Sequence, residues 1–252
     1  MEKLHKKGNA FYITKKKEFN PLPLFSQKII SVVFDFAYDM TFGLIGEHRD
    51  HRSGGQHNRK NGEIFINTFQ GKLSEFGIYY YLKKHNIVDL GRPDLEKWEL
   101  GKWDEADFKF KNFKFSIKST KFYGNLILLE TKDWDSNGYY LPNNTQYDFT
   151  ILTRIKPDGE KLLKSNKLLY TNICNKEKLK DIINAEKWFC DIPGFMTLSM
   201  LKNIINEGFV LPQNSYLNGS TKMDAENYYI QAGDLLDIAL LKDKVKKEKY
   251  DK

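Results

Sequence analysis

The sequence predicts an α/β fold in which a mixed β-sheet is flanked by helices. Two observations support this fold class. Apolar and polar residues alternate with period two over residues 108–117, which is typical of half-buried strands. Apolar residues recur at helical spacing over residues 25–42, and residues 67–85 have the character of a second, largely buried helix. We expect a sheet centred on residues 107–118, within one domain of 252 residues whose core covers about residues 67–206.

The composition is that of a folded protein. Hydrophobic residues make up 40% and aromatic residues 14% of the chain, which is enough for a packed core and excludes a disordered protein. The net charge of +7 favours a polyanionic partner without identifying one. Cys174 and Cys190 are too few and too far apart for a zinc knuckle. The chain has no apolar run of about 18 residues and no signal-peptide segment, so we expect a cytoplasmic protein outside the membrane.

The first twenty residues are basic and end near Pro21 and Pro23. They are predicted to form a solvated terminus, and an arm that touches phosphates is the alternative. Residues 25–42 follow as one amphipathic helix, because their apolar side chains return to the same face at helical spacing.

Residues 46–62 form the most polar stretch of the chain, and they are predicted to be a loop around Gly54-Gly55. Their side chains suit DNA, because Arg and Lys bind phosphates or guanine and Asn or Gln binds adenine. The candidate DNA contacts are Arg49, His51, Arg52, Gln56, His57, Asn58, Arg59 and Lys60. An ordinary solvated loop is the alternative. Zinc is disfavoured, because no cysteine lies near the loop histidines and their spacing fits no closed tetrahedral site.

One acid stands out in the helix predicted over residues 67–85. Glu75 lies between Leu73 and Phe76, on a part of the helix that should be covered, and a buried carboxylate needs a cation or a hydrogen-bond donor. A glutamate on the helix surface, paired with Lys72, is the alternative.

The alternating pattern on both sides of Lys111-Asn112 predicts a β-hairpin with a two-residue turn. The register that follows pairs Phe110 with Phe113, Phe108 with Phe115, and Asp107 with Ser116. Lys118 is then the diagonal neighbour of Asp107 across the hairpin, and the backbones of such pairs are about 7–8 Å apart. Asp107, Ser116 and Lys118 therefore share the face opposite the apolar one.

An aspartate and a lysine above an apolar sheet suit metal-assisted hydrolysis of a phosphodiester. Mg²⁺ prefers oxygen ligands, stabilises developing charge and lowers the pKa of a bound water. Lys118 could then orient or deprotonate the attacking water. The alternative is a solvent-facing strand pair in which Asp107 and Lys118 serve solubility.

At these residues the sequence resembles the PD-(D/E)XK nuclease superfamily, especially type II restriction endonucleases. The family signature is an Asp that opens one strand, a short turn, and an acid-any-Lys triplet on the next strand. Asp107 matches the first acid, and Ser116-Ile117-Lys118 matches the triplet. Ala106 replaces the family's proline and Ser116 replaces its second acid. Some restriction enzymes of the superfamily also carry serine there and take the carboxylate from elsewhere in the chain.

The resemblance implies a restriction-endonuclease-like core and a type II site-specific deoxyribonuclease that hydrolyses phosphodiester bonds of double-stranded DNA with Mg²⁺. It implies that Asp107 and Glu75 hold the metal, together with the backbone carbonyl of Ile117. Lys118 would handle the water, and Ser116 would bind a water on the metal. A homodimer is expected by analogy, because cutting two strands usually takes two active sites.

Glu130-Thr131-Lys132 is a second acid-any-Lys triplet, at the end of a third predicted strand over residues 126–129. If that strand runs antiparallel to the second one, Glu130 lies about 17 Å along it from the level of Lys118. Glu130 is therefore the runner-up acid. Asp94, Asp104 and Glu105 are further alternatives.

The rest of the chain continues the α/β pattern. It predicts a buried strand over 147–155, helices over 176–184 and 197–206, and a late strand over 227–232; residues 162–173 fit a strand or a short helix.

Two other functions stay open at this point. A non-specific or structure-specific repair nuclease could use the same hairpin, with the loop over residues 46–62 touching only the DNA backbone. A non-catalytic basic nucleic-acid-binding protein would need no metal.

Overall fold

The computed structural model describes residues 1–43, 59–86, 93, 95, 108–110 and 112–247. Across these ranges the chain is a mixed α/β fold with six α-helices and 13 strands. The helices are α1 Gln27–Thr41, α2 Asn61–Lys84, α3 Gly159–Ser165, α4 Lys176–Asn184, α5 Leu198–Asn206 and α6 Leu241–Lys247. The strands are β1 His5–Lys7, β2 Ala10–Tyr12, β3 Phe108–Phe110, β4 Phe113–Lys121, β5 Leu126–Glu130, β6 Tyr139–Tyr140, β7 Thr145–Gln146, β8 Phe149–Lys156, β9 Phe189–Thr197, β10 Val210–Leu211, β11 Tyr216–Leu217, β12 Thr221–Lys222 and β13 Asn227–Gln231.

The main sheet has the order β3-β4-β8-β9 and is mixed. β3 and β4 are antiparallel, β4 and β8 are parallel, and β8 and β9 are antiparallel. The predicted hairpin register is confirmed where the structure describes it, because Phe108 pairs with Phe115 and Phe110 with Phe113. Asp107 lies outside the described residues.

One face of the main sheet packs against α2, and α1 packs against α2 in the same core. Phe115 of β4 and Ile151 of β8 are buried in a core that also contains Phe65 and Phe69 of α2. The contact is polar at one point, where the Ser74 hydroxyl of α2 donates a hydrogen bond to the Ser119 hydroxyl of β4 at 3.0 Å. The helices therefore cover the face on which Ser119 lies.

The two long helices were predicted, but α2 begins six residues earlier than expected. α1 agrees with the predicted helix over residues 25–42. The predicted loop ends too late in the sequence, because Asn61 and Gly62 already belong to α2. The Glu63 carboxylate accepts a hydrogen bond from the Lys60 N–H at 2.9 Å and caps this start. Asn-Gly usually marks a turn, but here Gly62 permits a close approach to the backbone of Leu168.

The other face of the main sheet packs against a second, three-stranded antiparallel sheet of order β10-β13-β5. The predicted third strand exists as β5, but its expected antiparallel pairing with β4 is wrong. β5 pairs with β13, for example Ile127 with Ile230. The reason is packing, since Ile127 and Leu129 are buried in a second core that also contains Leu152 of β8.

The first residues are not the solvated terminus that the charge pattern predicts. β1 and β2 form a hairpin in a four-stranded sheet of order β1-β2-β11-β12. Leu4 and Phe11 are buried in the second core, which gives this segment its own apolar anchors. The Gln231 side-chain oxygen also accepts hydrogen bonds from the N–H groups of Thr14 and Lys15, at 2.7 and 2.9 Å. The prediction failed because it rested on the many lysines of this segment and gave no weight to Leu4 and Phe11.

The later elements agree with the sequence pattern. β8, α4, α5 and β13 occupy the segments predicted as strand, helix, helix and strand, and the segment that fitted either a strand or a short helix begins with α3. Thr197 precedes α5, and its hydroxyl accepts a hydrogen bond from the N–H of Met200. None of the helices in the described ranges has the length and apolar character needed to span a membrane.

Candidate active site

Lys118 lies on the side of the main sheet that faces away from α2. Side chains alternate along a strand, so Lys118 points opposite to Ser119, the residue bonded to α2. Lys118 also pairs directly with Leu152, whose side chain belongs to the second core. Ser116 shares this face, is 2% exposed and pairs with Thr150.

A cavity of about 560 Å³ lies beside Lys118. One wall is the stretch from Ile117 to Thr120 of β4, and the opposite wall is β5 with the turn that follows it. The rim comes from β12 and the residues after it. Its charged lining residues are Lys118, Glu130, Asp133, Lys222 and Asp224. β5 belongs to the second sheet, and Glu130 at its end lines the same cavity as Lys118.

Two acids of the cavity lie at the end of β5 and in the turn that follows it. The Glu130 side chain is 17% exposed, and its Oε2 is 3.8 Å from Nζ of Lys132, which is 57% exposed. Asp133 is 9% exposed, and its carboxylate makes no hydrogen bond or ion pair with another described residue. The cavity therefore offers carboxylate oxygens opposite a lysine.

Asp133 was not singled out by the sequence. It ends a single 3₁₀ turn, and the next residue, Trp134, is buried in the second core. An acid placed between a strand end and a buried tryptophan is the signal that could have found it, because the tryptophan fixes the turn against the core. Without the fold, however, Asp133 looks like one more surface acid.

Glu75 lies in a different environment. Its carboxylate is 2.8 Å from Nζ of Lys72. Both side chains are mostly buried, with exposed fractions of 15% for Glu75 and 14% for Lys72. Lys72 also lies over the Phe36 ring at 5.0 Å. The burial of Glu75 agrees with the covered position predicted for it, and the pairing with Lys72 agrees with the alternative drawn from the sequence. Glu75 belongs to the helix that packs on the other face of the sheet, and it is not among the described residues that line the cavity.

Two of the eight predicted DNA-contacting residues, Arg59 and Lys60, belong to the described part of the chain. Arg49, His51, Arg52, Gln56, His57 and Asn58 lie outside the described residues. Arg59 and Lys60 immediately precede α2, next to the segment after α3, where the Asn61 side chain donates a hydrogen bond to the Asn172 carbonyl at 3.1 Å. Neither is among the described residues that line the cavity.

Arg154 is a buried cation on the same face as Thr120, with which it pairs in the sheet. Its guanidinium donates to the Asp191 carboxylate and to the backbone carbonyls of Lys17 and Glu18, the last two at 2.7 and 2.6 Å. These partners occupy the guanidinium, so Arg154 anchors the N-terminal segment and is not available to a phosphate.

The donor set of the cavity fits a hard divalent cation. Mg²⁺ is usually held by one or two carboxylates and keeps several waters, and Glu130 and Asp133 could supply the carboxylates. The described residues contain no group of three or more His, Cys, Asp or Glu side chains that could hold a metal ion. A metal here would therefore depend on water, or on an acid such as Asp107 outside the described ranges.

Comparisons with protein-family models, with curated proteins and with solved structures found no match.

Proposed function

We propose that this protein is a magnesium-dependent endonuclease with a restriction-endonuclease-like core, which cleaves double-stranded DNA at a specific sequence. The observation that carries the proposal is the hairpin register, with Phe108 opposite Phe115, in a mixed sheet whose second strand presents Lys118 to a cavity with acids on its far wall. Asp107 is joined to Phe108 by one peptide bond, which spans about 3.8 Å between Cα atoms. A register continued by one more pair would set Asp107 opposite Ser116 and diagonal to Lys118, which is what the PD-(D/E)XK signature requires.

Lys118 would hold the attacking water in position and favour its deprotonation by its positive charge. Asp107 would be the first metal ligand, with the Ile117 carbonyl beside it. Mg²⁺, when bound, lowers the pKa of a coordinated water and stabilises the charge that develops on the phosphate. Ser116 cannot replace a carboxylate, so a second acid is needed.

Two acids compete for that second role. The resemblance implies Glu75, whose ion pair with Lys72 would have to open or be shared. The cavity favours Glu130, because Glu130 and Lys118 line the same space. Asp133 lines that space as well and could bind a metal through water.

DNA and a second copy of the chain are the proposed partners. The net charge of +7 favours a phosphate backbone. Cleavage of both strands of a palindromic site would require two active sites related by two-fold symmetry, which a homodimer supplies.

The test is to incubate the protein with plasmid DNA and Mg²⁺, with and without a chelator. Discrete fragments that disappear with chelator support the proposal. A smear would support a non-specific or repair nuclease instead. DNA that stays intact over a range of salt, pH and divalent cations would contradict both and favour a non-catalytic nucleic-acid-binding protein.

A further inference from the structure

The small sheet β1-β2-β11-β12 has one face that is rich in cations and tyrosines. Lys7 pairs with Ala10, Ala10 with Tyr216, and Tyr216 with Lys222, so these four residues form one row across all four strands. His5 pairs with Tyr12. His5 is two residues from Lys7 along β1 and Tyr12 is two residues from Ala10 along β2, so both side chains lie on the same face as the row. We call this face the basic face; it consists of His5, Lys7, Ala10, Tyr12, Tyr216 and Lys222.

The opposite face of the small sheet fixes its orientation. Phe11 is buried in the second core and Leu217 packs against that core. The basic face therefore points to solvent, and His5, Lys7, Tyr216 and Lys222 are all exposed, Tyr216 at 40%. The four strands read HKK, AFY, YL and TK, so none of them contributes an acid. A polyanion would meet two lysines here without a strand carboxylate beside them.

The basic face is a fixed surface, because both of its hairpins have turns that hold them in register. Gly8 has a φ of +60° in the two-residue turn between β1 and β2. Asn218 has a φ of +50° in the turn between β11 and β12, and its side-chain oxygen accepts a hydrogen bond from the Ile13 N–H at 3.2 Å. The Asn218 N–H donates to the Phe11 carbonyl at 2.8 Å, which ties the two hairpins together. Because the surface is already ordered, binding a ligand here would cost little conformational entropy of the protein.

The small sheet is continuous with the candidate active site. Leu217, Thr221 and Lys222 line the cavity that also contains Lys118. Lys222 therefore belongs both to the rim of the cavity and to the basic face. Leu217 and Thr221 lie on the opposite face of the small sheet, so a strand of phosphates that crossed the basic face would meet the cavity at the edge strand β12, beside Lys222.

We propose that the basic face is a binding surface for the phosphate backbone of double-stranded DNA, and that it guides the duplex to the cavity. This inference rests on the proposed nuclease function. Lys7 and Lys222 lie on the two edge strands, three strand spacings or about 14 Å apart. A duplex carries one negative charge per about 1.7 Å of its axis, so the two lysines can contact different phosphates of one duplex. Tyr12 and Tyr216 lie between them and can donate hydrogen bonds to phosphate oxygens.

The test is equilibrium binding of a fluorescein-labelled duplex, followed by anisotropy in the presence of a chelator so that no cleavage occurs. The variant is Lys7→Glu with Lys222→Glu. The matched control is Lys164→Glu with Lys187→Glu, because those two lysines are also exposed and neither has an ion pair with a described residue. Circular dichroism and the thermal transition should be the same for all three proteins, since every changed side chain is at the surface.

We expect the basic-face variant to bind the duplex at least tenfold more weakly than the control. We also expect the slope of log Kd against log salt concentration to fall by about one for each phosphate contact that is lost. Equal binding by the variant and the control would overturn this inference and leave the nuclease proposal standing. Polyglutamate that competes as well as unlabelled duplex at equal charge would also overturn it, in favour of an unspecific polyanion site. A wild-type protein that neither binds the duplex nor cuts plasmid DNA would remove both proposals.

Discussion

At the scale of single residues, the candidate catalytic residues lie on two different faces of the main sheet. Lys118 and Glu130 line one cavity, whereas Glu75 is paired with Lys72 on the helix that covers the other face. The sequence placed Lys118 on its strand correctly, because alternation fixes the face of each side chain once the register is known. It misjudged the surroundings of Glu130, because alternation within one strand does not tell which sheet the strand joins.

The proposed chemistry predicts that Lys118→Ala binds duplex DNA as the wild type does but cleaves it at least a hundredfold more slowly, since a positioned general base or acid contributes roughly 10²–10⁴ in rate. Lys114→Ala is the control. Lys114 lies on the same strand and, by alternation, on the same face, but it is not among the described residues that line the cavity. Single-turnover cleavage measures both variants. Wild-type turnover in Lys118→Ala would move the chemistry to another lysine, such as Lys132.

The second acid can be identified by comparing Glu75→Gln with Glu130→Gln. The variant that lacks the true metal ligand should lose cleavage and regain part of it at high Mg²⁺, because the loss is one of metal affinity. The other variant should cleave at the wild-type rate over the whole Mg²⁺ range. If both variants cleave normally, neither glutamate holds the metal and Asp133 becomes the acid to change.

The two cysteines should differ in reactivity, because burial raises the pKa of both thiols to different extents. Cys190 is fully buried and its thiol pKa lies far above the usual range. The pKa of Cys174 is also raised, chiefly by burial, but this residue is half-buried. We expect one thiol per chain to react with Ellman's reagent in the native protein and two after unfolding in urea. Cys174→Ser should abolish the native reaction, and a native signal that survives this change would show that Cys190 is accessible.

At the scale of elements, the start of α2 shows why a helix boundary escaped the sequence. The predicted loop ended at Gly62, because residues 46–62 are the most polar stretch of the chain. In the fold, Gly62 is the second residue of the helix, and its N–H donates to the Thr171 carbonyl at 3.0 Å. The contact with Thr171 helps to set where α2 begins, and local helix propensity carries no information about such a tertiary contact.

Two glycines of α2 give opposite predictions for the same substitution. A Cβ at Gly62 would lie 2.0 Å from the Leu168 carbonyl oxygen, so Gly62→Ala must displace backbone and should lower the free energy of unfolding. A Cβ at Gly71 would meet nothing within 4 Å, so Gly71→Ala should raise it by about 0.5–1 kcal/mol through helix propensity. Urea denaturation followed by circular dichroism measures both. The packing described for Gly62 is wrong if both variants gain stability.

At the scale of the whole molecule, the sequence predicted the α/β class, the hairpin register and most long elements, because each of these depends on local periodicity. It did not predict that β4 pairs in parallel with β8, that β5 joins a second sheet, or that the N-terminal hairpin belongs to a third. These features depend on which apolar faces meet across the fold, as with Phe11 and Leu152 in one core. For the same reason the sequence predicted the lysine of the candidate site but not the cavity with Asp133, which is lined by strands of different sheets.

The anchoring of the N-terminal segment predicts that it is needed for stability. Deletion of residues 1–18 would remove β1, β2 and the two carbonyls bonded to Arg154. Arg154→Leu would leave the Asp191 carboxylate buried without its cation, which costs about 3–5 kcal/mol. We expect both changes to lower the urea midpoint strongly. Lys132→Ala, at an exposed lysine, is the control and should leave the midpoint unchanged.

β8 separates the two cores, since Ile151 belongs to the first and Leu152 to the second. All seven residues from Phe149 to Ile155 are buried, and the strand is hydrogen-bonded to β4 on one side and to β9 on the other. Neither core can open while β8 stays in place, because opening either core would expose to water the β8 side chains that belong to that core. The backbone amides of β8 should therefore be the last to exchange for deuterium, and their exchange rate would report the opening of the entire protein through a single strand.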